Sequence, residues 1–151
     1  MLEFSYNWVD FAPPAPVIPV TLERPLSSDR AEVRGQIDTG SDITYIRAQV
    51  VSRLGLARVG EVDTLWIADA VDAKPFTSIQ YSVRLVIATL FDELVEVAEL
   101  PDGALPETEL LIGRDVINQR YLGMWGPIMT GTLYEQAPQF SSDELDNPAG
   151  Q

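Results

Sequence analysis

The sequence predicts a mainly β domain with two short helices. Three observations carry that reading. Apolar and polar residues alternate through most of residues 62–91, short β-branched runs recur between Pro, Gly and Asp, and only two windows have helical character. With 151 residues and 46% hydrophobic content, the chain is large enough for one compact domain with its own core. It shows no internal repeat, so each motif is present once.

The elements follow in order. Residues 1–14, "MLEFSYNWVDFAPP", are aromatic and then proline-rich, and 1–15 read as an N-terminal arm without regular structure. "PVIPVTLE" (16–23) reads as a strand in which Pro19 favours an edge position or a late start. "AEVRGQI" (31–37) is a strand that delivers Asp38 to a turn, and "ITYI" (43–46) is a second extended piece. "RAQVVSRLG" (47–55) is the first helix, with Gly55 placed to close it. Strands are expected through "DTLWIA", "FTSIQYSVRLVIATL" and "ELVEVAEL", with a turn at Asp69–Asp72 between the first two. "ELLIG" (109–113) is a short apolar strand, "RDVINQRY" (114–121) the second helix, and "LGMWGPIMTGTLYE" (122–135) a closing hairpin. The domain is thus expected over 16–135, with a flexible acidic tail at 136–151 that has little to bury.

Composition narrows the chemistry. The net charge of -13 repels phosphate backbones and anionic lipid, which disfavours nucleic acid and membranes as partners. Seven acids and no base fall in 91–109, read first as a solvated strand and loop. No apolar run is long enough to span a bilayer, and the first residues lack the basic start and apolar core of a secretory signal. The expected location is therefore cytoplasmic. Without a single His or Cys there is no Ser-His-Asp or Cys-His triad and no zinc site built on those residues. The acidic loop "LPDGALPETE" lacks the alternating ligands of a calcium loop, so no metal and no cofactor are expected.

Attention then falls on "GQIDTGSDITYI" (35–46). Apolar Ile37 and Ile43 flank a short polar turn, so Asp38 emerges from the end of a buried strand. Gly40 allows a tight backbone, and Thr39 and Ser41 offer hydroxyls that brace the carboxylate or bond locally. An Asx-type turn between two strands would use the same residues. A lone carboxylate is a weak acid–base catalyst near neutrality, whereas two forced together share one proton and divide the roles of acid and base. One copy of the motif supplies one carboxylate. A twofold dimer would supply the second.

Two signatures in this order resemble those of the retropepsin-like aspartic proteases, the single-domain homodimeric relatives of the pepsins. The first is "IDTGSD" (37–42) and the second "LLIGRDVI" (110–117), with a β-rich stretch and a flap hairpin between them. The resemblance implies a closed, β-barrel-like acid protease fold, active as a homodimer on an extended peptide or protein substrate. It implies a catalytic Asp38 that activates water with its symmetry mate, and a Thr39 that bonds across the dimer. It further implies a Gly40 that admits substrate backbone and a Ser41 whose hydroxyl donates to the outer Asp38 oxygen. Asp42 and Arg114 match a buried ion pair beside the site, and Leu111, Ile112 and Gly113 match the strand that crosses behind the turn. The flap would fall on Trp66, Ile67, Ala68, Asp69, Ala70, Val71 and Asp72, a stretch with no glycine. Gln36 stands near where substrate side chains would bind, at a position commonly apolar in the family. A protease-like dimerisation or peptide-binding domain without efficient hydrolysis is the second reading, favoured by Gln36 and the glycine-free flap.

Overall fold

The computed structural model describes residues 1–66 and 74–138 of the chain. Ten strands and two helices are found among them: β1 (Leu2–Asn7), β2 (Ala15–Glu23), β3 (Arg30–Ile37), β4 (Tyr45–Ile46), α1 (Ala48–Leu54), β5 (Arg58–Trp66), β6 (Lys74–Ile87), β7 (Phe91–Glu99), β8 (Leu110–Ile112), α2 (Arg114–Ile117), β9 (Tyr121–Trp125) and β10 (Thr130–Tyr134). The sheet runs β5-β6-β7-β4-β8-β3-β2-β1-β10-β9, and a further pairing of β6 with β2 closes six of these strands into a barrel. Closure leaves β5 and β9 as the two ends of the sheet.

The barrel follows from the period-two pattern of its strands. In β3, Ala31, Val33, Gly35 and Ile37 point inward, while Glu32 and Arg34 face water. In β2, Ile18, Val20 and Leu22 are buried, and Pro19 is exposed between them. These residues meet Val83, Leu85, Ile87, Phe91, Leu110 and Ile112 in the main core. A second cluster of Tyr45, Ala98, Leu100 and Leu111 forms beside it, with Ile43, Val62 and Leu105 packed on it. Helix α1 buries Val50, Val51 and Leu54 and ends at Gly55, whose φ of 63° is the left-handed cap expected of it.

Pro19 does not mark a sheet edge as expected. Strand β2 lies inside the sheet, but it meets β1 only at Ala15–Pro16 and β6 only from Thr21 onward. Pro19 falls in the interval between these pairings, where no ladder bond is required of its missing N–H. The N-terminal segment also departs from expectation, because Leu2–Asn7 is a regular strand. It pairs with β10 through Leu2–Ser5 and with β2 through Tyr6–Asn7, and the Phe4 ring is buried against Gly131. Its β10 partners lie more than 100 positions away, which local pattern does not reveal. The flap turn expected at 67–72 lies outside the described residues, as does the tail beyond 138. Trp66 is the last residue of β5, opposite Lys74 of β6.

Candidate active site

Asp38 sits at the point where β3 runs out of the barrel, half-buried. Its N–H donates to the Ile112 carbonyl at 3.0 Å, continuing the parallel β3–β8 ladder by one rung. The Ser41 N–H donates to the Asp38 carbonyl at 3.2 Å and closes a four-residue turn. The Gly40 N–H donates to Oδ1 of Asp38 at 2.8 Å. The carboxylate is therefore held by its own turn, with its remaining oxygen directed away from that bond. Thr39 and Gly40 are exposed at the tip.

The second signature packs directly on the first. Leu111 and Ile112 are buried, paired with Gln36 and Ile37 of β3. Gly113 passes so close to the turn that a Cβ on it would come within 2.3 Å of the Ile43 carbonyl oxygen and 2.5 Å of its carbon. Only a glycine fits there without moving backbone. From Gly113 the chain enters α2, and free amides at the start of that helix are taken up by the Asp38 turn. The Arg114 N–H donates to the Ser41 carbonyl at 2.8 Å and the Asp115 N–H to that of Asp42 at 3.3 Å.

Asp115 was not singled out from sequence, yet it makes the densest set of contacts here. Its carboxylate accepts from the Thr44 hydroxyl at 2.7 Å, the Thr44 N–H at 3.0 Å and the Val116 N–H at 2.9 Å. Thr44 is fully buried, and its hydroxyl oxygen also accepts from the Gly113 N–H at 3.1 Å. One threonine and one aspartate thus join the two signatures. The available signal was an acid in the first turn of a helix, where it meets free N–H groups. Arg47 is a second residue that sequence reasoning passed over. Its N–H donates to the Glu109 carbonyl, and its guanidinium donates to the carbonyls of Thr108 (3.0 Å), Ala104 (2.8 Å) and Leu105. Partial burial lowers the basicity of that guanidinium. The acidic loop 101–109 is in this way fixed to the start of α1.

Two sequence expectations need correction. The Ser41 hydroxyl does not reach Asp38; it donates to the Ile43 carbonyl at 2.7 Å, because the closed turn directs it forward along the chain. The Asp42–Arg114 ion pair forms, but it is not buried, with side chains 80% and 50% exposed. At that exposure it is worth about 0–1 kcal/mol. The Gln36 Oε1 accepts from the Thr108 hydroxyl at 2.7 Å, tying β3 to the acidic loop. Among the described residues no cluster of acids, His or Cys is arranged to hold a metal ion.

The β5–β6 hairpin projects from the barrel, its strands paired from Arg58–Tyr81 to Trp66–Lys74. At its base the Tyr81 hydroxyl donates to Glu99 at 2.7 Å, and burial together with that carboxylate pushes the phenol up to about 12.

No protein-family model matches the sequence, and no curated protein matches it. The solved structures do. A retropepsin-like aspartic protease from Rickettsia conorii superposes with a TM-score of 0.57 at 13% identity, covering 88% of this chain and 89% of the other. The EIAV protease complexed with an inhibitor gives 0.45 at 16% identity over 70% and 86%. The retroviral protease-like domain of Ddi1 from Leishmania major gives 0.44 at 14% identity over 79% and 87%. With the six-stranded barrel, the first of these matches establishes that the chain has the retropepsin-like fold.

Proposed function

We propose that the chain is an aspartic endopeptidase whose site is completed by a second copy of itself. The observation that supports this best is the setting of Asp38. A single carboxylate is held by the Gly40 N–H at the end of a buried strand, with the tip of its turn open to contact. In the dimer the two Asp38 carboxylates share one proton. The ionised member takes a proton from a water as that water attacks the scissile carbonyl carbon. The protonated member donates to the carbonyl oxygen, giving a tetrahedral diol. Collapse of the diol breaks the C–N bond, and the amine leaves with a proton. Thr39, exposed at the tip, bonds across the axis, and the substrate lies extended beneath the β5–β6 hairpin.

The second reading is a peptide-binding or dimerisation domain without efficient hydrolysis. It is favoured by the Ser41 hydroxyl, which is committed to Ile43 rather than to the carboxylate. Cleavage of a diverse peptide mixture between pH 3 and 7 separates the two. Under the first reading the wild type cleaves, and Asp38→Asn loses at least about a hundredfold in rate without loss of fold. A folded wild type that binds peptides but cleaves none across this range would establish the second reading.

A further inference from the structure

Resting on the peptide site in the reading above, we infer that Gln36 selects an uncharged carboxamide side chain, asparagine or glutamine, beside the peptide bond that lies over Asp38. Strand β3 alternates to its end. Ile37 is buried in the main core with Ile112, so half-buried Gln36 and Asp38, one residue to either side of it, share the opposite face about 7 Å apart. In an extended peptide whose carbonyl sits at Asp38, a flanking side chain falls within that reach. The face is otherwise apolar. Leu111, beside Gln36 on β8, is buried in the second cluster. The partly buried side chains packed on that cluster are Ile43 from the Asp38 turn, Val62 from the β5–β6 hairpin and Leu105 from the acidic loop.

Gln36 is held in one orientation. Its backbone lies between β2 and β8, and its Oε1 takes the hydroxyl of Thr108, a residue only 2% exposed. Thr108 is fixed in turn: its N–H donates to the Leu105 carbonyl at 2.9 Å, and its carbonyl accepts from Nε of Arg47 at 3.0 Å. A tie between strand and loop needs only Oε1. The Nε2 amide, with two N–H groups, has no partner among the described residues. A ligand that covers it must bring an acceptor, since a leucine laid there would leave those donors unpaired. Carboxylates are repelled, because Thr108 stands between Glu107 and Glu109 on a chain of net charge -13. A lysine or arginine would set N–H against N–H. A carboxamide avoids both conflicts. Its oxygen accepts from Nε2, while its own N–H donates to the second lone pair of Oε1.

The test is cleavage of a peptide library carrying Asn, Gln, Leu, Lys or Glu on either side of the scissile bond, with circular dichroism as the control for folding. The wild type is expected to favour Asn or Gln over Leu at one of these positions by at least about tenfold in kcat/KM. Gln36→Leu should turn that preference towards Leu. Gln36→Glu keeps an acceptor for Thr108 but loses the N–H donors, and should move the preference to Lys. Thr108→Val frees the Gln36 amide to rotate and should shrink the preference, which Thr108→Ser should restore. Folded Gln36 variants with the wild-type preference would overturn the inference while leaving the peptidase reading intact, as would a wild type that favours Leu. If the wild type cleaves nothing, the peptidase reading fails, and binding of the same peptides, followed by fluorescence anisotropy, decides the inference. A carboxamide preference that Gln36→Leu removes supports it, whereas equal affinities, or none, overturn it.

Discussion

Asp38 is held by backbone, not by other side chains. Its Oδ1 takes the Gly40 N–H, and the turn behind it is fixed by Thr44 and Asp115. The buried Thr44 hydroxyl both donates to Asp115 and accepts from Gly113. Thr44→Val keeps the shape but leaves the buried Gly113 N–H without its acceptor and takes one of three bonds from the Asp115 carboxylate, so urea denaturation should show a loss of about 1–3 kcal/mol. Tyr81 gives a prediction in pH. Its phenol moves from an ordinary 10 to about 12, so the folded chain holds a proton that the unfolded chain releases between those values. The stabilisation is complete below pH 10 and lost as pH rises to about 12. Tyr81→Phe should flatten this alkaline decline in thermal melts. The Asp92 carboxyl has the opposite sign. Hydrogen bonds from Arg84 hold it below its ordinary value, so its contribution stands at neutral pH and fades in acid.

At the scale of elements, the candidate site is built where β3 and β8 run side by side, with α2 seated on the turn. Gly113 lets the end of β8 pass close against the backbone of Ile43. Gly113→Ala pushes a methyl into the Ile43 backbone and should cost about 1–3 kcal/mol or more, read from the denaturation midpoint at unchanged slope. Much of this was legible in sequence, because each part is locally encoded. The β3 alternation, the Asp-Thr-Gly-Ser turn, the apolar β8 run and Gly55 each name their structure within a few residues. The rest was not, for a common reason. The β1–β10 pairing, the Asp115–Thr44 bonds and the hold of Arg47 on the 101–109 loop all join residues far apart in the chain. Ser41 shows the same limit at short range: its hydroxyl had two acceptors within reach, and turn geometry chose Ile43. Pro19 favours an edge position or a late start from sequence alone, yet it sits within an inner strand, because such a strand also has intervals with a neighbour on one side only.

At the scale of the molecule, the barrel leaves one charged and one uncharged end to the sheet, on a chain with a large excess of acid. The central claim is that Asp38 is half of a site, and mixing tests it most directly. Wild-type chain is held at fixed concentration, equilibrated with a tenfold excess of Asp38→Asn, and assayed for peptide cleavage. If each site takes one Asp38 from each of two chains, the variant captures most wild-type chains in defective pairs. Activity should then fall roughly tenfold. Cleavage that does not change with the excess, while the two chains are shown to exchange, would mean that each chain holds a whole site and would contradict the account.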